Sequence, residues 1–194
     1  MIVALIVILA IVLIFGLSLV LMYNRFVSQR TLIRNAWANI DTELKRRYDL
    51  IPNLVETVKG FATQERTVLT EVTQARSRAT GVQLTPEALN DPKAMERFQA
   101  AQQQLSGALS RLLVSVERYP ELKSNQNFLS LQSQLEGTEN RIVVERRRYN
   151  ESVRDYNTRL STFPNRLVAS FSGFKAKAYF EAAPDAATAP KVKF

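Results

Sequence analysis

The first 23 residues carry no charged side chain, and the apolar run Ile2–Tyr23 is broken only by Gly16 and Ser18. A helix of that length rises about 33 Å at ~1.5 Å per residue, enough to cross the hydrocarbon of a bilayer. Beyond Asn24 the pattern becomes amphipathic. Ile33, Ala36, Ile40, Leu44, Tyr48, Ile51, Val55, Val58 and Ala62 step by three or four, the spacing of one helix face. Pro52 interrupts that stripe, and a proline inside a helix removes a hydrogen bond and kinks the axis. Either a kinked continuous helix or a tight helical hairpin fits. No Gly lies near Pro52 and the stripe keeps its phase across it, so the kink is favoured. No strong stop signal follows until about Thr80.

The stretch 81–92 reads as a loop, with Asp91 placed to cap the next helix and Pro92 at its first position. That helix carries two rows at sevenfold spacing: Phe98, Leu105, Leu112, Tyr119 and Met95, Gln102, Leu109, Val116. It ends at Tyr119-Pro120. Another starts near Ser124 or Asn125 and runs to about Ser161, with the core row Phe128, Leu135, Ile142, Tyr149, Tyr156 and Phe163. Gly107 and Gly137 fall inside these helices and mark either a close helix approach or tolerant surface. Phe163-Pro164 ends the last long helix, and a short aromatic segment (Phe171, Phe174, Tyr179, Phe180) precedes an alanine-proline tail. The chain therefore divides into a transmembrane anchor (1–23), an all-α antiparallel bundle of three to four long helices (24–181) and a flexible tail (182–194).

Helix count fixes direction. One kinked helix over 24–80 leaves the bilayer, the next returns and the third leaves again. Phe163 and the aromatic segment are then expected at the distal end, capping the bundle or docking a partner subunit. A hairpin at Pro52 would reverse that.

Flanking chemistry refines the anchor. No basic n-region precedes the apolar run and no small-residue cleavage pattern follows it, so it reads as uncleaved rather than as a signal peptide. Arg25, Arg30 and Arg34 follow directly, and the first acid is Asp41. The positive-inside rule then keeps the bulk of the chain in the cytoplasm, with an extracytoplasmic domain as the alternative. The chain has no Cys and no His. That removes disulfides, thiol nucleophiles and zinc-thiolate sites, together with the commonest general base. The net charge of +8 suits an acidic partner surface or simply a solvated helix face.

Arg25, Arg30 and Arg34 are the candidates for lipid headgroups, being close to the bilayer surface. Lys45-Arg46-Arg47 is not: Arg46 stands ~35 Å beyond Tyr23 on a straight helix. Arg46, Arg47, Asp49, Glu139 and Arg147 are instead expected in ion pairs within the chain or between subunits. Arg146-Arg147-Arg148 sweeps round the helix and is interleaved with acids, so no nucleic-acid stripe forms. The tyrosines of the Tyr149-Asn150 and Tyr156-Asn157 pairs belong to the core row, with hydroxyls bonded at its edge. No nucleophile motif or phosphate-binding Gly loop occurs. No catalytic, cofactor or metal site is expected.

One stretch, Asn35-Ala36-Trp37 … Ile40-Asp41 … Leu44-Lys45-Arg46-Arg47-Tyr48-Asp49-Leu50-Ile51-Pro52-Asn53-Leu54-Val55, closely resembles the LemA family. The resemblance continues through Tyr119-Pro120-Glu121-Leu122-Lys123, Asn127-Phe128, Glu139-Asn140-Arg141-Ile142, both Tyr-Asn pairs, Phe163-Pro164 and Pro190-x-Val192-x-Phe194. It implies a bacterial single-pass inner-membrane protein with a cytoplasmic elongated bundle and no established enzyme activity. One relative of that family is tied to membrane remodelling. The expected partners are the lipid bilayer, further copies of the chain and, alternatively, another membrane protein recruited by an adaptor.

Overall fold

A computed structural model describes residues 1–62 and 65–181. The expected tail, 182–194, lies outside them. Among the described residues six helices follow in order: α1 (Ile2–Phe61), α2 (Arg66–Gly81), α3 (Pro92–Val116), α4 (Pro120–Lys123), α5 (Gln126–Ser161) and α6 (Asn165–Phe171), with a short 3-10 turn at Ala88–Asn90. No strand occurs among the described residues. The fold is the all-α antiparallel bundle that the periodicity predicts.

Helix α1 runs unbroken through the apolar span, the arginine-flanked boundary and Pro52. Pro52 cannot donate to the carbonyl of Tyr48, four residues earlier. Arg76 on α2 supplies the missing donor, its Nε lying 2.7 Å from that carbonyl. The defect is thus closed from outside the helix.

The helix stops at Phe61, where no stop is expected from the sequence. Ala62 leaves helical geometry (φ −121°, ψ 60°), its N–H still bonded to Val58. Glu65 precedes α2, and its carboxylate accepts from Arg118 (2.7 Å) and the Tyr119 hydroxyl (3.1 Å). The predicted helix over 24–80 is therefore a hairpin of α1 and α2, turned after residue 62 rather than at Pro52. The other boundaries follow their signals. Asp91 caps α3 by accepting from the Lys93 N–H (2.9 Å), with Pro92 in the first turn. Asn125 caps α5 by accepting from Phe128 (3.1 Å).

The extra reversal changes the direction of everything after it. α1 leaves the apolar end, α2 returns, α3 leaves again, and α5 comes back along nearly the whole bundle segment of α1. The register is read from Arg47–Glu139, Glu43–Arg141, Asn39–Glu145 and Phe26–Tyr156. The expected distal placement of the aromatic segment is wrong: Phe174 stacks on Phe26 (centroids 5.1 Å) and meets Tyr23 (5.6 Å), beside the apolar span.

Two apolar cores share the bundle. The distal core draws on α1, α2, α3 and α5, from Ile51, Leu54 and Val58 to Leu112, Phe128 and Leu135. In the proximal core α2 has ended. Its place is taken by an extended strap, residues 174–180, that returns along α5. The predicted sevenfold rows are buried except at two ends: Tyr119 is half-buried, and Phe163, near the apolar span, is 82 % exposed. Gly107 and Gly137 mark no close approach, since a Cβ at either meets nothing nearer than an arginine tip at 3.7 Å.

Candidate functional site

Between the two cores lies a polar layer centred on Arg47. The α1 face that packs inward repeats at Ile33, Ile40, Arg47 and Leu54, so periodicity places this arginine in a core position. It is 2 % exposed. Its Nη2 donates to Ser106 Oγ on α3 (2.7 Å) and pairs with Glu139 Oε1 on α5 (2.7 Å), cross-linking three helices. Burial lowers its affinity for the proton, opposed by the Glu139 carboxylate. Beside it, the Tyr48 hydroxyl accepts from Gln102 on α3 and faces the Ala79 carbonyl. Burial raises the Tyr48 pKa, and the Gln102 hydrogen bond partly offsets the rise.

Of the charges expected to pair, only Arg47 and Glu139 do so together. Arg46, Asp49 and Arg147 are exposed and make no ion pair among the described residues. The carboxylates that stand near one another on helix surfaces are also engaged: Asp41 with Lys45, Glu43 with Arg141, and Glu136 with Gln132.

The strap is held by the two Tyr-Asn pairs. Asn157 Nδ2 donates to the Lys177 carbonyl and its Oδ1 accepts the Lys177 N–H, both at 2.9 Å. Asn150 does the same with Phe180, at 2.8 and 2.9 Å. The Tyr156 hydroxyl donates to the Lys175 carbonyl (3.0 Å) and the Tyr149 hydroxyl to the Ala178 carbonyl (2.9 Å). The repeat has a geometric cause. Seven residues of helix rise ~10.5 Å, and three residues of extended chain span ~10 Å. One heptad on α5 thus matches three residues of a strap running the opposite way. The Leu89 carbonyl accepts from the Ala178 N–H (2.9 Å), and Gln99 donates to Tyr179 (3.1 Å).

The strap's side chains close the proximal core. Phe180 meets Phe98 (5.6 Å) and Trp37 (6.2 Å), and Arg146 lies over its outer face (5.7 Å). Trp37, 7 % exposed, also contacts Tyr149 (5.6 Å). Burial raises the pKa of both clamping tyrosines. The tyrosines were legible as core residues from their spacing. The asparagines' grip on a returning backbone was not, although the repeat of Tyr-Asn after seven residues is its signal.

The three flanking arginines diverge. Arg25 is exposed. Arg30 lies over the Phe174 ring (5.6 Å), and Arg34 faces Glu87 at 3.9 Å. Lys177 of the strap is buried beside the last two, and burial with their charge lowers its pKa.

These features define a membrane-associated helical bundle, carried on an apolar N-terminal helix and locked by its own C-terminal strap. The LemA family model matches residues 36–194, and the chain belongs to that family. Similar curated proteins include the magnetosome protein MamQ of Magnetospirillum gryphiswaldense, 26 % identical over 183 residues, covering 86 % of this chain and 67 % of the relative. Magnetosome proteins MamQ 1 and MamQ 2 of Paramagnetospirillum magneticum match to the same extent.

Proposed function

We propose that this protein is a non-enzymatic scaffold, anchored in a bacterial cytoplasmic membrane by a single pass, that self-associates and organises or remodels the bilayer. The observation that carries this reading is the continuity of α1. A 60-residue helix joins apolar span to bundle with no linker, so the bundle is held at a set attitude to the lipid. The basic flank after Tyr23 favours a cytoplasmic bundle. The relatives' assignment to the magnetosome supports a role at a membrane. Self-association draws support from the strap clamps. Asn150 and Asn157 bind main-chain N–H and C=O groups, so the same clamps fit the strap of a second copy. Exposed Arg46, Asp49 and Arg147 offer charges to such a neighbour.

Mass photometry of the detergent-extracted protein, with electron microscopy of vesicles that contain it, tests this. Discrete oligomers and reshaped vesicles are the expected result. A strict monomer that leaves vesicles unchanged refutes it. A stoichiometric foreign protein captured from membranes, without self-association, favours an adaptor for another envelope protein.

A further inference from the structure

We infer that α6 and the turn before it form a second membrane contact, lying in the interfacial zone of the same leaflet through which the apolar span leaves the bilayer. The inference rests on residues 1–23 being embedded.

Three large apolar side chains there have no cover: Phe163 is 82 % exposed, Leu167 52 % and Phe171 92 %. They follow one another at four-residue steps, which puts Leu167 and Phe171 on one helix face. Val168 and Ala169, on the opposite face, are buried against the bundle. Scattered apolar residues on a soluble surface are ordinary, but three large exposed ones within nine consecutive residues mark an interaction surface.

The fold says what covers it. Phe26 packs on Tyr156, so Ser161, five residues further along α5, stands level with Leu21, five residues earlier on α1. That is inside the uncharged span. α6 follows immediately and packs against both α1 and α5. The strap then leaves this level through Gly173, whose φ of +70° suits glycine, and Phe174 rests on Tyr23 and Phe26. The face that water would have to wet therefore sits where the acyl chains meet the headgroups. Arg166 on α6, Lys175 just after it and Arg25 two residues beyond Tyr23 are exposed cations. Apolar residues below and cations above are the arrangement of an interfacial element on an anionic bilayer.

The chain has no native Cys, so single thiols can be placed at will. Full-length protein carrying Leu167→Cys, Phe171→Cys, Ile11→Cys or Asn127→Cys is labelled with an environment-sensitive fluorophore. Each is reconstituted in phosphatidylethanolamine–phosphatidylglycerol vesicles. Quenching is read with aqueous iodide and with lipids spin-labelled near the headgroup or at the chain end. Probes at 167 and 171 are expected to emit to the blue, lose iodide quenching and respond most to the shallow lipid label. The probe at 11 should respond to the deep label, and the one at 127 to iodide alone. If 11 responds to lipid but 167 and 171 behave like 127, the inference falls and the anchor stands. Protection from iodide without lipid quenching means a protein neighbour covers the face, and also refutes it. If 11 itself shows no lipid quenching, the anchor reading falls and takes this inference with it.

Discussion

Single residues in the bundle's middle do work that neither hydropathy nor propensity assigns them. Arg47 occupies a core position as a charge, and its partner Glu139 is partly open to water (39 % exposed side chain). The asymmetry predicts unequal mutants. Glu139→Gln strands a buried guanidinium, whereas Arg47→Met leaves a carboxylate that can hydrate. Removing one partner of a buried pair costs about 3–5 kcal/mol when the charge left behind stays buried, and the Glu139 carboxylate, open to water, escapes most of that cost when Arg47 is the one replaced. Urea unfolding of the two variants, followed by helix circular dichroism, should rank Glu139→Gln as the more damaging. Arg76 offers a second check. Arg76→Ala leaves the Tyr48 carbonyl unpaired, at about 1–3 kcal/mol. In a Pro52→Ala background residue 52 regains its own N–H, so the same substitution should cost markedly less. A cost unchanged by that background would show that Arg76 matters for some other reason. Sequence alone places Pro52 inside the helix and expects a pairing role for Arg47. It is silent on Arg76, because only the folded hairpin brings that guanidinium to the defect.

At the scale of elements, the strap is the least legible feature and the most consequential. A seven-residue extended segment has no periodicity to read, and its anchors lie 20–30 residues away on α5. Each asparagine contributes two hydrogen bonds, so Asn150→Ala and Asn157→Ala should each weaken strap docking by about 1–3 kcal/mol. Amide hydrogen exchange at Lys177 and Phe180 is the direct readout. Protection should fall first at the residue facing the mutated clamp, with helix content unchanged. The tyrosines add a pH dependence. Burial raises the folded pKa of Tyr149 and Tyr156, so the folded state holds their protons more tightly than the unfolded chain. This contribution is complete below the unfolded tyrosine value of about 10 and is lost as pH rises beyond it. Ultraviolet tyrosinate absorbance and exchange at the strap should therefore report release in the alkaline range. With no His or Cys in the chain, no imidazole or thiol step is expected between roughly pH 6 and 8. The break after Phe61 was hidden for a different reason. Ala62 and Leu69 are both buried and seven residues apart, two helical turns, so the apolar stripe keeps its phase through a reversal of direction.

At the scale of the molecule, that hidden reversal decides which end of the bundle receives α6 and the strap, the end beside the apolar span. The family resemblance, the helical class and the apolar anchor all follow from residue patterns. The vertical order of the parts does not, because one uncounted turn inverts it. The same architecture joins span and bundle into one shaft. The part of α1 beyond Tyr23 has 38 residues, so the shaft projects ~57 Å from the span. A helix whose apolar length exceeds the local hydrocarbon thickness tilts to fit it. With no joint between the two parts, a tilt of about 10° at the base carries the far end sideways by about 10 Å. The mean tilt of the helices from the bilayer normal, read by polarised infrared dichroism of the reconstituted protein, should thus increase as the acyl chains are shortened. An unchanged signal would mean that the shaft bends at the boundary. If it holds, the protein works as a lever that turns bilayer thickness into a displacement at its tip, where neighbouring copies or partners would feel it.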